Sequence, residues 1–392
     1  MELLDDHIRH LVNLIPKDGS SFDIQRLFFL LTLDSATHFL FGESVGCMSP
    51  GSNSLLARSA VGNAEGFADA FNRSQYYLAS RSRAQNFYWL VNPKEFREMN
   101  KQVHEVVDHY VHLALEAKKN PEKKGDRYIF RDALAEETDN PKALRDEMLN
   151  ILLAGRDTTA SLLSSTFFYL SRNPESFNKL RQAIVKEFGD AKNPTGEITQ
   201  TKLKDIPYLR HVLNESKYCL RLALISKLTN TALRLMPPVP VNFRVATKDT
   251  SLPTGGGPDR TSPVYVKKGT IVAYSVYTMH RRPDFYGPDP NTFRPERWEE
   301  NTRRGWDFLP FNGGPRICLG RMYFPVWLLG MWLIVTLEQY ALTEASYTVA
   351  RLMQHFDKLE NADTEVASEP IKHSSLTMSH DRGVTVRLSP IA

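Results

Sequence analysis

Only three cysteines occur in 392 residues, Cys47, Cys219 and Cys318. That is too few for a disulfide framework and fits a reducing compartment. Neither sign of charge dominates: 49 basic against 45 acidic residues leave a net charge of +4, which offers no strong field to a nucleic-acid partner. No apolar run reaches the roughly 20 residues that cross a bilayer as a helix. The nearest, Met322 to Leu337, has sixteen residues without a charge and is interrupted by Pro325. The start, Met1-Glu2-Leu3-Leu4-Asp5-Asp6, is acidic and lacks a secretory signal pattern. No internal repeat or low-complexity segment is found. What remains is a globular chain able to bury a substantial core, as one large domain or two ordinary ones.

Along the chain the pattern is mostly helical. Leu4, Ile8, Leu11 and Ile15 share one helical face. Ser20-Ser21-Phe22-Asp23 precedes a second apolar helix running to about Phe41, with Gly42 as its stop. Residues 60–118 read as long helices of mixed charge, and Lys118 to Arg127 as a charged loop. Asp146 to Leu170 is a mostly apolar helix ended at Asn173-Pro174, and Glu175 to Phe188 is the next. From Pro237 the prolines, Gly255-Gly256-Gly257 and short β-branched runs (Val264-Tyr265-Val266, Thr270-Ile271-Val272) predict hairpins. Helix returns from Gln339 to Phe356. The expected fold class is mainly α with a small β region. One domain is expected over 1–392: 1–236 mostly helical, 237–285 β-rich, 286–321 a meander and cysteine loop, and 339–392 the last helix and a C-terminal hairpin.

The run Phe311-Asn312-Gly313-Gly314-Pro315-Arg316-Ile317-Cys318-Leu319-Gly320 places one cysteine in a glycine-bracketed loop, with an arginine two residues upstream. Gly314 and Gly320 permit backbone conformations that side chains would block. Backbone N–H groups and Arg316 would stabilise a thiolate at Cys318. A lone cysteine is more often a buried inert thiol; the surrounding residues point elsewhere. Phe-x-x-Gly-x-Arg-x-Cys-x-Gly resembles the haem-binding signature of the cytochrome P-450 family, the haem-thiolate monooxygenases. The resemblance implies haem b (iron protoporphyrin IX) as cofactor, Cys318 as axial ligand of its iron, and Phe311, Gly314, Arg316 and Gly320 around it.

A second constellation, Ala154-Gly155-Arg156-Asp157-Thr158-Thr159, sits inside the long apolar helix. Gly, Asp and Thr are mediocre helix formers. A Thr hydroxyl can bond the carbonyl one turn back and open the helix locally, and Gly155 would let a flat ligand approach. By itself the run also fits a solvated polar patch or a kink. It is similar to the oxygen-activating helix motif of the same family. That similarity implies Asp157 and Thr158 as the acid–alcohol pair supplying protons, and Ala154 and Gly155 against the haem face. Pro295-Glu296-Arg297-Trp298 resembles the family's Pro-Glu-Arg-Phe segment, whose arginine joins a Glu-x-x-Arg pair in an ion network. Arg244, in Pro240-Val241-Asn242-Phe243-Arg244, stands where a haem-propionate arginine is often found, and Arg316 is the other candidate.

The sequence departs from that pattern twice. Glu215 is followed three residues later by Tyr218, and the expected arginine, Arg234, comes nineteen residues on. That is roughly 28 Å along a continuous helix. Removing Ser216 to Thr231 restores Glu-Ala-Leu-Arg. After Cys318-Leu319-Gly320-Arg321, removing Met322 to Glu338 joins the loop to Gln339-Tyr340-Ala341. Both segments, 216–231 and 322–338, read as translated introns of an imperfect gene. Leu3 to Ser44 resembles a segment that lies after the family's first helices, so the chain is expected to be N-terminally truncated, without the membrane anchor.

Leu31 to Thr37, Val241 to Arg244, Met279-His280-Arg281-Arg282 and Gly305 to Phe311 look like the fungal alkane- and fatty-acid-oxidising branch. That implies terminal hydroxylation of a long aliphatic chain, pocket positions near Val239 and Val241, and an NADPH-cytochrome reductase, with cytochrome b5 as a further partner. It also implies the cytosolic face of the endoplasmic reticulum membrane. The competing reading is a non-catalytic, haem-free fragment; a haem-thiolate isomerase or peroxygenase is a third.

Overall fold

The computed structural model describes residues 2–49, 64–120, 129–199, 224–300, 305–319, 324–328, 331–335, 340–364 and 369–391. Helix α1 (Glu2–Leu14) leads through the short strand β1 (Phe22–Asp23) into α2 (Ile24–Phe41). The cap of α2 is Asp23, whose carboxylate accepts from Gln25 N at 3.0 Å and from Val384 N at 2.8 Å. One side chain thus starts a helix and ties it to the C-terminal sheet. The helix ends at Gly42, φ +81°, where a Cβ would come within 2.8 Å of Ile129.

Helices α3 (Ala64–Ala84) and α4 (Lys94–Lys119) follow, joined by a 3-10 turn over Gln85–Leu90. Next come α5 (Phe130–Glu137), α6 (Pro141–Arg172) and α7 (Pro174–Phe188). Helix α6 is longer than its pattern predicts at its start. Asn140 accepts from the N–H groups of Lys142 and Ala143 at 3.0 and 3.2 Å, and Pro141 takes the first position, where its missing N–H costs nothing. Helix α8 (Leu224–Leu235) precedes two antiparallel pairs. Strand β2 (Val241–Val245) pairs with β5 (Ile271–Ser275), and β3 (Thr250–Gly256) with β4 (Ser262–Val266). A hairpin of β6 (Phe324–Leu328) and β7 (Met331–Val335) lies within the second departing segment. Helix α9 (Tyr340–His355) leads to β8 (Phe356–Asn361), β9 (Lys372–Ser374), β10 (Met378–His380) and β11 (Thr385–Pro390). The largest sheet has the order β1-β11-β8.

Helix α6 is the axis of the molecule. Its second half, with α1, α7, α9 and the C-terminal strands, encloses one core that includes Leu163, Phe167, Leu180, Ala350 and Leu388. Its first half packs with α3, α4, α5 and the end of α2 around Phe41, Phe67, Val107 and Tyr110. Every residue from Thr159 to Ser171 is buried. The hydroxyls there are satisfied locally: Ser164 donates to Ala160 O at 2.7 Å, Thr166 to Leu162 O at 2.8 Å and Ser161 to Met378 O at 2.5 Å. A polar-looking helix is thereby made compatible with a dry interior.

Candidate active site

Halfway along α6 the burial changes. Residues turn about 100° each around a helix, so Ile151, Ala154, Gly155 and Thr158 face one side. On that side Ala154 is exposed, Gly155 and Thr158 are half-buried, and a Cβ built on Gly155 meets no neighbour within 4 Å. Thr158 donates to Ala154 O at 2.7 Å, the predicted one-turn bond, yet the helix runs on unbroken. The result is an open face one turn before the enclosed stretch Thr159–Ser171.

Asp157 is directed elsewhere. It is 4% exposed, and its Oδ1 accepts from Arg156 Nη1 at 3.1 Å. The same nitrogen donates to Asn72 Oδ1 on α3 at 2.7 Å. The guanidinium lies 5.3 Å from the Phe29 ring centre on α2 and 5.4 Å from that of Phe71 on α3. Burial pushes the Asp157 carboxyl up from the usual range; the charge of Arg156 and the Gln75 amide oppose it.

The cysteine loop is built by two left-handed residues, Asn312 at φ +64° and Gly314 at φ +68°, a conformation that Asn and Gly tolerate best. Cys318 N–H donates to Phe311 O at 2.8 Å and closes the loop. Phe311 packs on the core that contains Leu163 and Phe167 of α6. At Gly313 the loop presses on Trp306, whose ring would lie 2.4 Å from a Cβ. Cys318 is exposed and outside any disulfide, contrary to the inert-thiol reading. On β2, Arg244 Cζ lies 5.7 Å from the ring centre of Tyr274 on β5, and Tyr274 OH donates to Asn312 Oδ1 at 2.8 Å. The β2–β5 hairpin is thus pinned to the loop, with one propionate candidate beside the pin. Neither Arg244 nor Arg316 pairs with a carboxylate among the described residues. Gly320 lies outside them.

Of the expected ion network, Arg234 and Arg297 are brought together, 0% and 2% exposed. Glu215 lies outside the described residues. Arg234 donates to His280 O at 2.9 Å, to Thr292 O at 3.1 Å and to Pro290 O. Arg297 holds Asp289 through Oδ1 at 3.0 Å and the carbonyl at 2.8 Å, and also bonds Tyr286 O. Position 231, three before Arg234, carries a threonine that accepts from Trp298 Nε1 at 2.9 Å. Burial, then the charge of Arg297, pulls Arg234 down to about 9. His280 accepts from Leu309 N at 2.9 Å and joins this network to the cysteine loop. Burial lowers its own pKa to about 3.

A flat, dianionic macrocycle with an axial thiolate needs a soft donor, an open face to lie on and cations for its carboxylates. Exposed Cys318, the Ala154–Gly155 face, and Arg244 and Arg316 supply these, so the residues present fit haem. A match to the family described as Cytochrome P450 covers residues 2–357. The chain belongs to the cytochrome P450 family. Among its relatives, Cytochrome P450 52A12 of Debaryomyces hansenii is 48% identical over 98% of this chain and 69% of its own length. Cytochrome P450 52A3-A of Candida maltosa is 46% identical over 98% of this chain and 68% of its own length. A crystal structure of a cytochrome P450, CYP102L1, superposes with a TM-score of 0.71 at 20% identity, covering all of this chain and 74% of that one; it shows the fold. Family and relatives make the protein a haem-dependent monooxygenase that takes electrons from a reductase and acts on a lipophilic substrate. They support that reading over the haem-free alternative.

Sequence reasoning missed Asn72, Arg156, Tyr274, Thr231 and His280. The one available signal was Arg156, a charged residue in an apolar helix, which needs a partner when buried.

Proposed function

We propose that the protein hydroxylates a long aliphatic chain, an n-alkane or fatty acid, at or near its terminal carbon. NADPH electrons arrive through an NADPH-cytochrome reductase, with cytochrome b5 as a second donor. The observation that carries this is the open Ala154–Thr158 face beside the buried half of α6, in a chain that also exposes Cys318. The 46–48% identity to the 52A relatives points to the branch.

Bound haem supplies the redox centre at which dioxygen is split. Cys318 would hold the iron through its thiolate, a donor that would make the bound group suited to oxygen activation. Arg244 and Arg316 would hold its carboxylates by charge-assisted bonds. Thr158 spends its hydroxyl proton on Ala154 O, which leaves its lone pairs to accept from water at the open face. Asp157, a carboxylate at rest beside Arg156, takes up a proton and passes it on towards Thr158. Apolar neighbours near Val239 and Val241 position the substrate chain.

No helix among the described residues is long and apolar enough to cross a membrane. Placement on the endoplasmic reticulum membrane is supported instead by the turn at Gln85–Leu90. There Phe87, Tyr88, Trp89 and Leu90 are each more than half exposed, near Arg81, Lys94 and Arg97. Aromatic side chains with basic neighbours suit a lipid–water interface.

The test is the absorption spectrum of the purified chain, reduced with dithionite under carbon monoxide. The expected result is a red-shifted Soret band, lost in Cys318→Ser, and fatty-acid or alkane hydroxylation with added reductase. A spectrum of detached or histidine-ligated haem overturns the assignment of Cys318.

A further inference from the structure

The Asn72–Arg156–Asp157 cluster lies outside the open face, yet it holds one of the two proposed proton-handling residues. Arg156 is 2% exposed, donates from one nitrogen to two helices, and lies beside two aromatic rings. Asn72 and Gln75, three apart on α3, share a face and approach Arg156 and Asp157 respectively. Asp157 is about 100° around α6 from Thr158, on the side turned to α3. We propose that Arg156 is a positioning residue: anchored by Asn72, it holds the Asp157 carboxylate ionised against α3, so that the α3–α6 contact governs when Asp157 exchanges a proton. The inference rests on the reading of Asp157 as proton donor.

The physical reason is the cost of burying a carboxylate. In a site this dry an unpaired carboxylate takes up a proton instead of staying charged. Arg156 is the only titratable side chain acting on Asp157 among the described residues; α2 contributes the Phe29 ring and α3 the neutral Asn72 and Gln75. Removing the guanidinium therefore changes the resting state of Asp157 from carboxylate to acid. Moving α3 relative to α6 would act in the same way, because the Asn72 anchor travels with α3.

The test reads protonation directly and needs no turnover. Infrared spectra at neutral pH are taken of the full chain and each variant, each subtracted from its Asp157→Asn counterpart. The wild type is expected to show no protonated-carboxyl band, Arg156→Met to show one, and Arg156→Lys to show none. Methionine fills the space between Phe29 and Phe71, so a merely structural role predicts no band in Arg156→Met, and that result overturns the proposal. Asn72→Asp sets two carboxylates on one guanidinium, so a band is expected that vanishes when Asp157→Asn is added; no band means that Asn72 is not the anchor. The proton-donor reading is judged separately, by NADPH-driven hydroxylation in Asp157→Asn. Unchanged turnover there, with the expected bands present, refutes the donor role and leaves the positioning role standing.

Discussion

Replacing Thr231 with glutamate should stabilise this protein. Thr231 and Arg234 are both fully buried on α8, three residues apart and so on one face. Arg234 meets carbonyl oxygens but no carboxylate among the described residues, and its neighbour Arg297 is a second cation whose acid, Asp289, stands at the surface. Holding a guanidinium at about 9, well below its ordinary value, corresponds to an electrostatic cost of about 5 kcal/mol as an upper figure. A glutamate at 231 would cancel much of this. Its own desolvation takes back more than half, while the Trp298 N–H finds a carboxylate in place of a hydroxyl. The net gain is about 1–2 kcal/mol, a rise of about 1–3 °C in Tm for a chain of 392 residues.

The assay is urea and thermal unfolding of wild type, Thr231→Glu and Thr231→Gln, the glutamine controlling for size. The pH dependence supplies a second signature. A base whose folded pKa is lowered costs stability fully below that pKa, and the cost fades as pH rises from about 9 toward the ordinary guanidinium range. The added glutamate helps only while ionised. The advantage of Thr231→Glu should therefore be greatest between about pH 5 and pH 9 and shrink on either side. A Thr231→Glu protein no more stable than Thr231→Gln at pH 7 would refute the reasoning.

Three further outcomes are expected. Glu344 is buried beside Ser35, and burial pushes it up to about 8. The unfolded chain then ionises this acid first, so its destabilising effect grows from about pH 4.5 to pH 8; Glu344→Gln should gain up to about 5 kcal/mol across that window, and a pH-independent difference in urea midpoints would exclude this cause. The Phe87→Ser/Trp89→Ser double variant should lose most of its binding to phosphatidylcholine–phosphatidylserine vesicles in sedimentation while keeping its circular dichroism; unchanged sedimentation would remove the membrane role of that turn. Mature transcript is expected to lack the codons for 216–231 and 322–338, and reads crossing both segments would show them to be part of the protein.

The elements that carry the site were legible because each has a local cause. Gly42, Asn173-Pro174 and the apolar spacing of α1 and α2 mark helices by capping and periodicity, and the Asn312–Cys318 loop shows in its glycines. What held the site in place was not legible. Tyr274 reaches Asn312 across 38 residues, and Asn72 reaches Arg156 across 84. Nothing in local spacing announces such bonds, since they exist only once α3, α6 and the β2–β5 hairpin have been packed. The direction of Asp157 belongs to the same class. The motif places it beside Thr158 in sequence, but the helix turns the two apart and α3 decides what the carboxylate meets.

The first departing segment shows where pattern and chemistry separate. Residues 224–231 continue into the helix that carries Arg234, and Thr231, Ala232, Leu233 and Leu235 are all buried. Apolar periodicity is a tolerant specification, and many sequences satisfy it. A buried cation is not tolerant: it requires an acid at one position, within hydrogen-bond reach. Thr231 meets the first demand and fails the second, so α8 keeps its packing and its threonine–tryptophan bond while the Arg234–Arg297 pair is left to carbonyls and one surface aspartate. The region between α8 and the cysteine loop is therefore where this chain should yield first, through His280 and Leu309, and where a single added carboxylate should have the largest effect on how firmly Cys318 is held.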